Sequence, residues 1–161
     1  MQYPNLNEEK KLWKKGFEVV VGLDEAGRGC LSGPVVAGAI CFGKNFNIGN
    51  LKVNDSKKLS EKKREELYEI LTNHKNIRWG IGIVSEKVID KINILEATKL
   101  AMKKALNDLE KRYTANSKAL QFGVYAGRAD FLLLDGNFTL RQAQGRKLIS
   151  QMAIVKGDQK V

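Results

Sequence analysis

The chain has 161 residues, 43% hydrophobic and 29% charged, a balance that fits one globular domain and excludes a disordered polyelectrolyte. No apolar run is long enough to span a bilayer and no signal-type segment opens the chain, so the expectation is a protein without membrane association, in the cytoplasm. A net charge of +10, from 28 Lys and Arg against 18 Asp and Glu, points to a polyanionic partner, most simply nucleic acid, with a basic solubilising surface as the bland alternative.

Residues 1–16 read as an N-terminal extension and 17–161 as one domain. Residues 17–23 are β-branched, continuous and bounded by glycine, which predicts a buried strand. It runs straight into DEAGRGCLSG. PVVAGAICF, residues 34–42, predicts a second strand, with Pro34 at the first position, where a missing N–H matters least. LKVNDSKKLS is a polar loop. Ser60 then reads as an N-cap with Glu61 in the first turn of a helix to about residue 72, with Leu67, Ile70 and Leu71 on one face. Residues 77–85 alternate as a strand.

Asn93 reads as the N-cap of a second helix, with Glu96 three residues on. That helix runs to about residue 112 with an apolar stripe of Leu95, Met102, Ala105, Leu106 and Leu109, the spacing of core packing. Residues 111–127 are polar and irregular. Residues 131–134 predict a short strand ending at Asp135-Gly136, and residues 152–155 another. Between them TLRQAQGRKLIS reads as a loop or insertion. The order β, β, helix, β, helix, β, β predicts a mixed α/β domain with an antiparallel start and a later crossover helix.

Cys30 and Cys41 have neither metal-ligand spacing nor disulfide density and read as reduced structural thiols. His74, the only histidine, reads as a polar residue near a helix end, not a member of a catalytic triad.

The chemistry concentrates in acids at strand ends. One strand delivers Asp24 and Glu25, another Asp135. Brought to one edge of a sheet, these carboxylates repel, so their pKa values rise or a cation neutralises them. All-oxygen ligation suits Mg²⁺ or Mn²⁺ and not zinc. Two such ions about 3.5–4 Å apart would serve phosphoryl transfer to water. Adjacent strand residues face opposite ways, so Asp24 and Glu25 share a site only if the strand ends or kinks between them. The glycines of GRGCLSG do not follow the dinucleotide-binding spacing. Their better use is close backbone approach to a nucleic-acid strand, with Arg28 reaching a phosphate.

DEAGRG followed by LSGPVVAGA, NDSKKLS, NILEAT, LLLDGN and IVKGD, in that order, resembles bacterial ribonuclease HII. The resemblance implies a ribonuclease H-like fold, a mixed five-stranded sheet flanked by helices. It implies cleavage of the RNA strand of RNA–DNA hybrids and incision at ribonucleotides embedded in duplex DNA, by a monomer using Mn²⁺ or Mg²⁺. Products would carry 3′-hydroxyl and 5′-phosphate ends. Asp24, Glu25 and Asp135 match metal-binding catalytic acids. Gly27, Arg28 and Gly29 match the loop that reads the ribose 2′-hydroxyl. Lys57 and Lys58 lie where the substrate backbone approaches, with a solvated loop as the alternative.

Three departures accompany the match. Cys30 stands where the family usually has proline. TLRQAQGRKLIS is not expected before IVKGD. The family's C-terminal helices, fourth catalytic acid and junction-stacking tyrosine would all fall after Val161, so the expectation is a truncated member, and Asp158 is not the fourth acid. The alternative reading is a weak or inactive nucleic-acid-binding fragment. A small-molecule phosphate enzyme is a third.

Overall fold

The computed structural model describes residues 5–30, 32–44, 46–47, 53, 58–114, 128–140 and 149–154. These form, in order, α1 (Asn7–Lys14), β1 (Val20–Ala26), β2 (Val35–Phe42), α2 (Glu61–Asn73), β3 (Ile77–Val84), α3 (Glu86–Thr114), β4 (Phe131–Asp135) and β5 (Ser150–Ile154). One five-stranded sheet has the order β3-β2-β1-β4-β5. β1, β2 and β3 pair antiparallel, and β4 and β5 run parallel to β1. This is the mixed α/β sheet expected from the sequence, with α3 as the crossover from β3 to β4. No described helix is long and apolar enough to cross a membrane.

Strand alternation gives the sheet two unlike faces. Val21 and Leu23 of β1, Val35, Ala37 and Ala39 of β2, and Leu132 and Leu134 of β4 join one buried cluster with Ala101, Met102, Ala105 and Leu109 of α3. Each Val or Leu so buried contributes about 1.5–3 kcal/mol, which makes this face the main source of stability. The opposite face is covered more thinly. α1 sets Leu12 on Val20 and Leu133, and Leu71 of α2 packs beside Ile77 and Phe46. Ile81 and Ile83 of β3 remain exposed.

Several elements differ from their sequence reading in extent. β1 begins later than residue 17 and does not stop before the acids, because its ladder with β2 holds through Ala26↔Val36. α1 falls within the segment read as an extension. α3 is two helices joined at a kink: a stretch from Glu86 that lies outside the predicted helix, and a second helix that starts at Asn93 as expected. Asn93 leaves the helical region at φ 65, and its side-chain oxygen accepts from the Leu95 and Glu96 amides at 3.0 and 3.1 Å. Ser60 caps α2 as expected, accepting from the Lys63 amide. Ile70 and Leu95, placed on apolar faces by spacing, are exposed.

Lys57, Asp158 and most of the 111–127 and 139–150 segments lie outside the described residues.

Asp130 fixes the entry to β1. Its carboxylate accepts from the Glu18 amide at 2.8 Å and the Val19 amide at 3.0 Å. Asp130→Ala leaves both amides without that acceptor. The expected result is a loss of about 1–3 kcal/mol, read as a lower denaturant midpoint at unchanged slope.

Candidate carboxylate site at the ends of β1 and β4

β1 and β4 run parallel with Leu23 beside Leu134. One residue further along, the same register sets Asp24 beside Asp135. In-register neighbours on parallel strands point to the same face, and such strands lie about 4.8 Å apart. The leucines point into the α3 core, so the two acids point the other way. Both border a groove of about 440 Å³ whose walls include Gly22, Gly38, Ile40, Trp79 and Leu133.

Glu25 is positioned differently. β1 neither ends nor kinks between Asp24 and Glu25, since Asp24↔Gly38 and Glu25↔Ala37 are consecutive ladder pairs. Alternation therefore sends the two side chains to opposite faces. Glu25 Oε1 accepts from Arg28 Nη1 at 3.0 Å, while Oε2 is buried without a hydrogen-bond partner. The Glu25 amide donates to Asp24 Oδ1 at 2.7 Å and so helps orient that carboxylate. Among the described residues, no three Asp, Glu, His or Cys side chains form a group that could hold a metal ion. The structure thus brings Asp24 and Asp135 to one rim and leaves Glu25 at the adjacent strand position.

The donor set still fits a hard cation. Two carboxylates with solvent beside them suit Mg²⁺ or Mn²⁺, which take few protein ligands and keep several waters. Zinc does not fit, because nitrogen and sulfur donors are elsewhere. His74 Nδ1 accepts from the Asn76 amide at 3.1 Å, and its ring lies against Phe46. Cys41 is buried, and burial pushes its thiol pKa up to about 12. It stays protonated at neutral pH, as a structural thiol should. Cys30 is exposed in the loop after β1.

That loop turns on Gly27. Its φ is +95, and a Cβ there would lie 2.5 Å from the Pro34 carbonyl oxygen. Only glycine satisfies both conditions. The Cys30 amide then donates to the Gly27 carbonyl at 3.3 Å. Arg28 and Gly29 are exposed on the turn, as is Lys58 ahead of α2.

One acid escaped the sequence reading. Glu9 of α1 is 8% exposed and borders the same groove as Asp24 and Asp135. Burial, with a smaller push from Glu8, raises its pKa against a backbone hydrogen bond. Nothing local marks it, because NEEKKLWK has only two apolar positions to show a face.

Residues 21–120 match the family model described as Ribonuclease HII. The chain is 42% identical over 154 residues to ribonuclease HII of Alkaliphilus metalliredigens, covering 95% of this chain and 66% of that protein. It is 44% identical over 152 residues to ribonuclease HII of Clostridioides difficile, covering 94% of this chain and 50% of that one. The chain therefore spans between half and just under two thirds of the length of these relatives. The solved structure of Bst-RNase HIII in complex with Mn²⁺ has the same fold over 88% of this chain and 46% of its own, with TM-score 0.66 and 14% identity.

Proposed function

This chain belongs to the ribonuclease HII family, and from that premise we propose that it acts as a metal-dependent endoribonuclease. Its substrates are the RNA strand of RNA–DNA hybrids and ribonucleotides embedded in duplex DNA. Its products carry 3′-hydroxyl and 5′-phosphate ends. The observation that carries the reading is that Asp24 and Asp135 border one groove, each one residue past the last ladder pair of β1 with β4, an all-oxygen pair beside a glycine turn.

Asp24 and Asp135 would hold Mg²⁺ or Mn²⁺ with water completing the coordination, and Mn²⁺ is present in the solved Bst-RNase HIII structure. When bound, such ions activate the attacking water and stabilise the leaving oxygen of the phosphodiester, two ions sharing these tasks. Glu25 would join the site by giving up its contact with Arg28. Its buried, unpartnered Oε2 supplies the incentive to do so. Arg28, once released, is placed to bind a phosphate. The backbone of Gly27 and Gly29 approaches a ribose closely enough to distinguish a 2′-hydroxyl from hydrogen. Lys57 and Lys58 hold the flanking phosphates as point charges. Residues 17–161 are the catalytic unit, working in the cytoplasm as a monomer.

The assay is a labelled duplex carrying one ribonucleotide, incubated with this chain with and without Mn²⁺. Cleavage at the ribonucleotide that requires the metal is expected. Equal cleavage of an all-DNA duplex, or cleavage in chelator, would refute the proposal. A second reading rests on the gathering of two acids at the rim where three were expected. On it, the chain binds hybrid duplex but is catalytically weak or inactive. A mobility shift on the hybrid with no metal-dependent cleavage would select that reading.

A further inference from the structure

Arg78 of β3 is a cation inside the protein. It is 2% exposed, and its Nε and Nη2 are buried without a hydrogen-bond partner. A guanidinium does not lose its proton in a folded protein, so this charge cannot be shed by titration. A buried charge without a counter-charge is among the most unfavourable arrangements an interior can hold.

The strand register accounts for its position. Arg78 pairs with Cys41 of β2, and directly paired neighbours point to one face of the sheet. Cys41 belongs to the cluster beneath α3, so Arg78 points under the same helix. There the ring of Tyr113, in the last turn of α3, lies 5.3 Å from the guanidinium carbon. A ring face attracts the cation but leaves its in-plane N–H groups unsatisfied. Arg78 also borders a cavity of about 10 Å³, together with Glu18, Cys41 and Lys44.

The charges around that cavity are already matched. Lys44 Nζ stands 3.9 Å from Glu18 Oε1, in a half-exposed pair that adds no net charge. The carboxylate of Asp130 is engaged by the Glu18 and Val19 amides. Cys41 is no thiolate, since burial pushes its pKa up to about 12, and its thiol donates to the Phe42 carbonyl at 3.9 Å. The charge of Arg78 is the one left over.

We infer that the cavity beside Arg78 is a structural site for a monatomic anion, chloride under ordinary conditions. Nε and Nη2 form one edge of the guanidinium fork, so their N–H groups point the same way and one acceptor atom serves both. The volume admits a single occupant of about the size of a water and excludes a tetrahedral oxyanion. A water would accept from the fork and leave the charge uncancelled, whereas a halide does both. An ion held only by the folded state stabilises that state as its concentration rises.

The test compares the parent with Arg78→Met, an uncharged side chain of similar reach. Melting temperatures are read in potassium chloride, potassium bromide and potassium glutamate at equal ionic strength, glutamate being too large for the cavity. The difference between halide and glutamate is expected to favour halide by several degrees more in the parent than in Arg78→Met, and this excess should saturate with halide concentration. Taking the excess over the variant cancels the general effect of each salt on the protein surface. Equal differences in the two chains overturn the inference. Should Arg78→Met not fold, anomalous scattering from crystals of the parent grown in bromide decides. A bromide peak within hydrogen-bond reach of Nε and Nη2 is expected. A water at that position, or bromide at other places as an adventitious ion only, overturns the inference equally.

Discussion

If the proposed function holds, Asp24→Asn is expected to remove at least about a thousand-fold of metal-dependent cleavage at an embedded ribonucleotide. The substitution keeps the size and planarity of the side chain and takes away one charge. If Asp24 and Asp135 act together on a cation, that charge is half of what the rim offers, and the transition state loses on the order of 4 kcal/mol. Stability should change little, because Asp24 is exposed at the rim of the groove. A damaged fold would lower activity and melting temperature together, whereas a lost ligand lowers activity alone. Mn²⁺ should raise the melting temperature of the parent and not of the variant, because only a folded state with the intact pair binds it. Asp135→Asn should reproduce both results, and the double variant should be no less active than either single one, since the two groups act as a unit. An Asp24→Asn chain that retains metal-dependent cleavage within ten-fold of the parent would remove the carboxylate pair from the mechanism.

The acids of that pair were legible in the sequence because each follows an apolar run, and an apolar run that meets charge is an anomaly at the level of single residues. Their pairing was legible only as an expectation. It depends on β1 and β4 being parallel neighbours, which the crossover through α3 supplies and no local pattern states. Glu25 shows the opposite limit. The sequence raised the alternation problem and supposed that the strand would break to solve it. The ladder to Ala37 and Val36 instead continues, because cross-strand pairing with β2 outweighs the turn preference of the glycines that follow. The same tertiary control explains the helices. Ser60 and Asn93 announce their caps through their own side chains, so both were found. The stretch of α3 before Asn93 carries Val88, Ile89 and Ile92 at helical spacing, whereas the whole of α1 has too few apolar positions to show a period. Glu9, whose burial depends on α1 packing against the groove, was therefore out of reach. Gly80 and Gly82 lie in a segment whose alternation predicts a strand and nothing more. Their tighter role exists only once a helix lies on them.

Gly82→Ala tests that role, because among the described glycines an added Cβ there meets the nearest obstruction. An added Cβ would sit 2.0 Å from the Ala101 carbonyl oxygen and 2.5 Å from the Ala105 amide nitrogen. Both obstacles are backbone of α3, so no rotamer change relieves them. Either the helix lifts from β3 or the strand bends away. Lifting α3 loosens Ala101, Ala105 and Leu109, which are all fully buried in the main cluster. Overpacking of a rigid site costs about 1–3 kcal/mol and occasionally more, and an obstruction by backbone on both sides belongs at or above the upper end. Against a total stability of about 5–15 kcal/mol, that loss is enough to unfold a substantial fraction of a marginal chain. Gly38→Ala is the matched control. It adds the same methyl group to a strand of the same sheet, where nothing lies within 4 Å of the new atom, and alanine is not inferior to glycine in a strand. The expected outcome is a large fall in the denaturant midpoint for Gly82→Ala and little change for Gly38→Ala. The Ile81 amide of β3 donates to Asp108 Oδ2 of α3 at 2.9 Å, and the same lift would part them, so Gly82→Ala should also speed exchange of the Ile81 amide. Equal midpoints for the two variants would mean that α3 does not rest on the backbone of β3.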